Sequence, residues 1–129
     1  ILPEQRSPNL YIDHGVHFRE LTDRFLRIMN RMAPFGPGNR RPVFQSSGVQ
    51  VWHVKILKEA HLKLTLGQED MLMEAIGFGL AEKWQQLIGA SEFRPGRDFF
   101  DVAFQPIFNT WNQKTTINLR LKDIRFAHV

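Results

Sequence analysis

The chain of 129 residues contains no cysteine. That excludes disulfides, thiolate zinc sites and cysteine nucleophiles, and it fits a cytoplasmic origin. No apolar run approaches the ~20 residues of a membrane-spanning helix, so no membrane partner is expected. No secretory leader is visible, and the chain begins at Ile1 without a methionine, which suggests a piece of a longer protein. Acidic residues are scarce in two blocks. Residues 36 to 66 carry five Lys/Arg against one Asp/Glu, and residues 105 to 129 carry four against one. Between them, residues 67 to 104 carry three against seven. A net charge of +4 is therefore unevenly spread, and such polarity suits a polyanion-binding face as well as it suits a merely solvated surface.

What is present is punctuated by one stretch, Ala33-Pro34-Phe35-Gly36-Pro37-Gly38-Asn39-Arg40-Arg41-Pro42-Val43-Phe44. Its three prolines fix φ, and its glycines permit positive φ. It reads as a rigid bend that projects Arg40 and Arg41 into solvent. Residues 1 to 11 read as an extended arm. Phe18, Leu21, Phe25, Ile28 and Met32 then recur at spacings of three and four, which predicts one amphipathic helix up to the bend. The expected division is an arm and connecting helix over 1–34, and a barrel over 35–129.

After the bend the period changes to two. Val43 to Leu57 is a long β-type run with an internal glycine, Gly48, as suits a strand that bends between two parts of a barrel. Leu62, Leu64 and Leu66 alternate with His61, Lys63 and Thr65. Met71 to Phe78 reads as a third strand, and Leu80 to Ile88 as a helix ending near Gly89. Phe100 to Phe108 forms a fourth strand, in which Pro106 marks a bulge or an edge. Asn109 to Thr115 reads as a polar loop around Trp111, and Ile117 to Phe126 as the fifth strand. The order β-β-β-α-β-β, preceded by a helix, predicts a mainly β fold with helices (α+β): a five-stranded OB-fold barrel.

OB-folds bind oligonucleotides or oligosaccharides on the face around their second and third strands and on the loops joining strands one-two and four-five. Here those places offer Lys58, His61, Lys63, Trp111 and Lys114. Cations track phosphates, and an exposed ring stacks a base. Trp111 has a second reading, as a ring folded back over the barrel end. Asp13-His14-x-x-His17 lacks further metal ligands, and no nucleophile, base and electrophile assemble, so no cofactor and no catalysis are expected of this chain alone.

The segment Met32-Ala33-Pro34-Phe35-Gly36-Pro37-Gly38-Asn39, followed by Pro42-Val43-Phe44, resembles the L-x-P-F-G-x-G-N-x-x-P-x-F signature of bacterial RecJ, the single-strand-specific DNA exonucleases. His61-Leu62-Lys63-Leu64, Glu74 to Gly79, and Asn109-Thr110-Trp111-Asn112 followed by Asn118 to Arg125 are similar to later motifs of that family, in the family's order. Gln113 stands where the family hairpin often has glycine, and Asn118 replaces the usual glutamine. The resemblance implies the single-stranded-DNA-binding OB region of a 5′–3′ exonuclease of DNA repair and recombination. Its partners would be single-stranded DNA and its own catalytic core, and Mn²⁺ or Mg²⁺ would belong to that core, which is absent here. Arg40 and Arg41 would lie where core and barrel meet. The alternative is a protein-interaction or intramolecular docking module that touches no nucleic acid.

Overall fold

A computed structural model describes residues 12–31, 41–89 and 93–127. Its elements are β1 (Ile12–Gly15), a single 3₁₀ turn (Phe18–Glu20), α1 (Asp23–Asn30), β2 (Val43–Leu57), β3 (His61–Gln68), β4 (Met71–Gly77), α2 (Ala81–Ile88), β5 (Phe99–Trp111) and β6 (Lys114–Phe126). The sheet order is β1-β2-β3-β4-β6-β5, and β5 pairs back onto β2. The five strands β2 to β6 thus close into a barrel with the connectivity of an OB-fold, as the strand order predicts.

β2 makes the closure possible. Its first half pairs with β5, from Phe44↔Phe104 to Gln50↔Phe99, and its second half pairs with β3, from Gln50↔Gly67 to Leu57↔His61. The ladder to β5 breaks between Ser46 and Val49, and Gly48 adopts φ 67 there. That conformation costs glycine little and other residues more. Inside the barrel, Leu62, Leu64, Leu66, Phe100, Phe104, Leu119 and Ile124 are essentially inaccessible. Pro106 sits just beyond Phe104, the last β5 residue paired with β2, and opposite Leu119 of β6. α2 lays Trp84 against Phe100, with ring centroids 5.7 Å apart, and ends at Gly89 with φ 63.

The N-terminal segment departs from the expected continuous helix. Ile12–Gly15 is a strand running parallel to the start of β2. The backbone N–H of Val16 donates to Gln45 O at 2.8 Å, and Ser46 Oγ donates to Val16 O at 2.6 Å. The amide of Phe18 donates to the buried Gln68 Oε1 at 2.6 Å. These long-range bonds hold residues 16 to 18 out of a helix. α1 begins only where Thr22 Oγ1 accepts from the Phe25 N–H at 3.1 Å, an N-cap. The helical phase is therefore reset. Leu26 and Met29 are buried, whereas Ile28, expected on the apolar stripe, is 50% exposed. Phe18 and Leu21 still reach the core, Phe18 packing edge-on to Phe104 at 6.1 Å. Met32, the arm over residues 1 to 11 and most of the Pro/Gly bend lie outside the described residues.

Gln68 ends β3 and bridges the structure. Its Nε2 donates to Ser47 O at 2.8 Å, while its Oε1 serves Phe18. Substituting Gln68→Ala strands both backbone groups. A buried unsatisfied group costs about 1–3 kcal/mol, so a loss of that size per group is expected in urea unfolding. A change under about 0.5 kcal/mol, the size of an ordinary surface substitution, contradicts this bridge.

Candidate nucleic-acid interface

The outer face of β2, β3, β4 and β6 follows from register. In β3 the inward leucines leave His61, Lys63 and Thr65 outside. β2 reaches the same face through a bulge: the pairing passes from Val51↔Leu66 to His53↔Thr65, with Trp52 as the extra residue. Beyond the bulge Val54 and Ile56 turn toward the core, and His53, Lys55 and Leu57 turn out. β4 contributes Glu74 and Ile76, and its parallel pairing with β6 sets Ile76 opposite Arg120.

One row of register partners therefore reads Lys55–Lys63–Ile76–Arg120 across four strands. The next row is His53–Thr65–Glu74. Glu74 is the one carboxylate on these two rows, and it accepts from Thr65 Oγ1 at 2.9 Å. A depression of about 330 Å³ lies here, lined by His53, Lys55, Lys63, Thr65 and Glu74. Lys55 and Lys63 stand directly opposite each other, a like-charge arrangement that destabilises a sheet. A bound anion would relieve that repulsion.

At the edge of the rows stands Phe78, 56% exposed. The His61 ring meets it edge-on at 5.3 Å, and the Arg120 guanidinium lies 5.7 Å from its centroid, within cation–π range. The Gly79 N–H donates to His61 Nδ1 at 3.0 Å. That leaves Nε2 to carry the proton of the neutral ring. Lys58 follows Leu57 in the three-residue turn to β3, exposed and at φ 53.

The β5–β6 connection differs from the expected loop. The ladder continues through Thr110↔Thr115 to Trp111↔Lys114, and only Asn112 and Gln113 turn, at φ 52 and 63. The Thr110 and Thr115 hydroxyls are hydrogen-bonded at 3.0 Å, which extends the pairing to the tip. Two successive positive φ values are those of a type I′ hairpin, whose twist matches its strands. By alternation Lys114, Thr116, Asn118 and Arg120 share one side of β6, and their partners are Trp111, Asn109, Ile107 and Gln105. The ribbon thus carries the Arg120 face outward for about 20 Å, at ~3.3 Å per residue. It ends in Trp111, which is 74% exposed and not folded back over the barrel.

A family model described as the RecJ OB domain matches residues 12–123. The chain belongs to the RecJ OB-domain family. Two solved structures share its fold. RecJ from Thermus thermophilus in complex with Mn²⁺ aligns with TM-score 0.63 and 18% identity, over 92% of this chain and 16% of that one. RecJ from the same organism in complex with Mg²⁺ aligns with TM-score 0.55 and 20% identity, over 81% of this chain and 15% of that one. The chain thus spans about a sixth of the length of those proteins. No curated protein matches the chain.

Of the residues picked out by sequence, His61 and Lys63 share the strand face, Lys58 adjoins it, and Trp111 with Lys114 forms the hairpin tip. Arg41 is elsewhere. It is half-buried rather than projecting, because its Nη1 donates to Asn30 Oδ1 at 3.3 Å and its carbonyl accepts from Gln105 Nε2 at 3.1 Å. Arg40 lies outside the described residues. Sequence reasoning missed Lys55, Phe78 and Arg120. The outward alternation of Arg120 is visible in the sequence, but its neighbours on β4 are not. Lys55 is hidden by the bulge, which reverses the inward phase between Val51 and Val54.

The turn offers a clean test. Gln113 occupies a left-handed conformation that glycine adopts freely. Gln113→Gly is expected to raise stability by up to about 1 kcal/mol in thermal or urea unfolding. A destabilisation contradicts this turn geometry.

Proposed function

We propose that this RecJ OB domain holds single-stranded DNA on its outer face and guides the strand to a catalytic core carried elsewhere in a RecJ-like 5′–3′ exonuclease. The observation that supports this reading is the row Lys55–Lys63–Arg120, flanked by the exposed rings of Phe78 and Trp111. Cations on successive strands neutralise successive phosphates, and exposed rings stack unpaired bases. Duplex DNA hides its base faces, so stacking selects single strands. Lys58 and Lys114 extend the cationic surface beyond the β2–β3 turn and along the hairpin. Among the described residues no three His, Asp or Glu side chains stand close enough to share a metal ion. The divalent-metal chemistry of such an exonuclease is assigned to that core.

A second reading has one observation in its favour. Phe99 and Phe126 are exposed beside a depression of about 560 Å³ lined also by Ser47, Gly48 and Asp101. That side of the barrel suits contact with protein, and such contact is compatible with DNA on the other face.

Two substitutions test the first reading. Lys63→Gln and Arg120→Gln are each expected to weaken single-strand binding at all sequences alike. Each should also flatten the slope of log K against log salt by about 0.7, the loss of one phosphate contact. Trp111→Ala is expected to cost roughly 1–3 kcal/mol on single strands. Unchanged affinity and slope in all three variants overturns the reading.

A further inference from the structure

Trp52 lies on the same outer face, yet it belongs to neither the basic row nor the hairpin. It is the bulged residue of β2. Its indole rests in two glycine notches. A Cβ at Gly67 would stand 2.6 Å from Trp52 Nε1 and 3.1 Å from Leu72 Cδ2, and a Cβ at Gly96 would stand 2.4 Å from Trp52 Cη2. Gly96 is itself fixed in place. Its N–H donates to Val51 O at 2.9 Å, and its carbonyl accepts from Gln50 Nε2 at 2.9 Å. The ring is therefore pinned at both ends, and any side chain at either glycine would displace it. Even so, Trp52 remains 38% exposed, and its neighbour Leu72 is 64% exposed. The ring is thus held against two backbone segments while more than a third of the residue stays open.

The surroundings say what would cover it. Gly67↔Leu72 is the pair two residues along from Thr65↔Glu74, so the platform continues the rows that carry Lys63 and Lys55. Arg94 is exposed in the loop that carries Gly96. A rigid, open indole beside phosphate-binding cations suits a flat, unpaired base. We propose that Trp52, with Leu72 beside it, forms a nucleobase-stacking subsite for the strand whose phosphates follow Lys55 and Lys63. This inference rests on the single-strand reading above and adds a second aromatic station, separate from Trp111.

The test uses a Trp111→Phe background, in which Trp52 and the buried Trp84 are the remaining indoles. The chain is titrated with oligo-dT and with an abasic strand of equal length, following anisotropy and tryptophan emission together. Oligo-dT is expected to quench the emission with the same midpoint as the anisotropy, whereas the abasic strand binds without quenching. Trp52→Leu should weaken oligo-dT binding roughly five- to 150-fold and leave abasic binding unchanged, and Trp52→Phe should retain most of the affinity. Oligo-dT binding without quenching overturns the subsite alone. So does an equal loss on both strands in Trp52→Leu, which would mark the ring as a strut for the loop. Absence of any binding at low salt overturns the single-strand reading and the subsite with it.

Discussion

Everything in this barrel depends on one strand being shared. β2 is fifteen residues long, and no flat strand could pair with β5 at one end and β3 at the other. The chain turns between Ser46 and Val49, where Gly48 takes a positive φ, and the two halves then belong to opposite walls. Closure removes the exposed edges that an open five-stranded sheet would present. It also fixes the register of every other strand, because β3 is read from the second half of β2, β4 from β3, and β6 from β4. The N-terminal segment is added to this frame through β1 and through Gln68, and not through an independent helix.

The basic face is a consequence of that register. Lys55, Lys63 and Arg120 come from distant places in the chain, and they meet on one row only because the ladders place them there. Folding sets two lysines directly opposite each other, at a cost to the sheet. The same arrangement suits a ligand with regularly spaced negative charge. Arg120 gains an additional contact over Phe78, its guanidinium lying 5.7 Å from the ring centroid. The hairpin then extends the face as a rigid ribbon, since its turn is two residues long and its tip is paired.

Much of this was legible in the sequence. The strand β2 was readable to the residue, Gly48 announced its bend, and the leucine alternation of β3 placed Lys63 outside. The helix ending at Gly89 followed from its period. Other parts were not legible, for physical reasons. Phe18, Leu21, Phe25 and Ile28 keep a helical spacing, but the bonds from Gln68, Ser46 and Gln45 that hold residues 16 to 18 come from distant positions. Thr22 then restarts the helix in a new phase. Lys55 was masked by a one-residue bulge, which no single-strand alternation can foresee. Asn109 to Thr115 is polar, and so it read as loop, although its β-branched threonines pair and only two residues turn. Arg41 was expected in solvent, yet Asn30 and Gln105 hold it against the barrel.

The central claim is that single-stranded DNA lies on the β2–β3–β4–β6 face. The most direct measurement is an NMR titration of the isotope-labelled chain with a short oligo-dT. The account predicts amide shifts concentrated at Lys55, Lys63, Ile76, Phe78, Arg120 and Trp111, with the opposite seam at Phe99, Asp101 and Phe126 unmoved. Shifts confined to that seam, or no shifts at low salt, would contradict it.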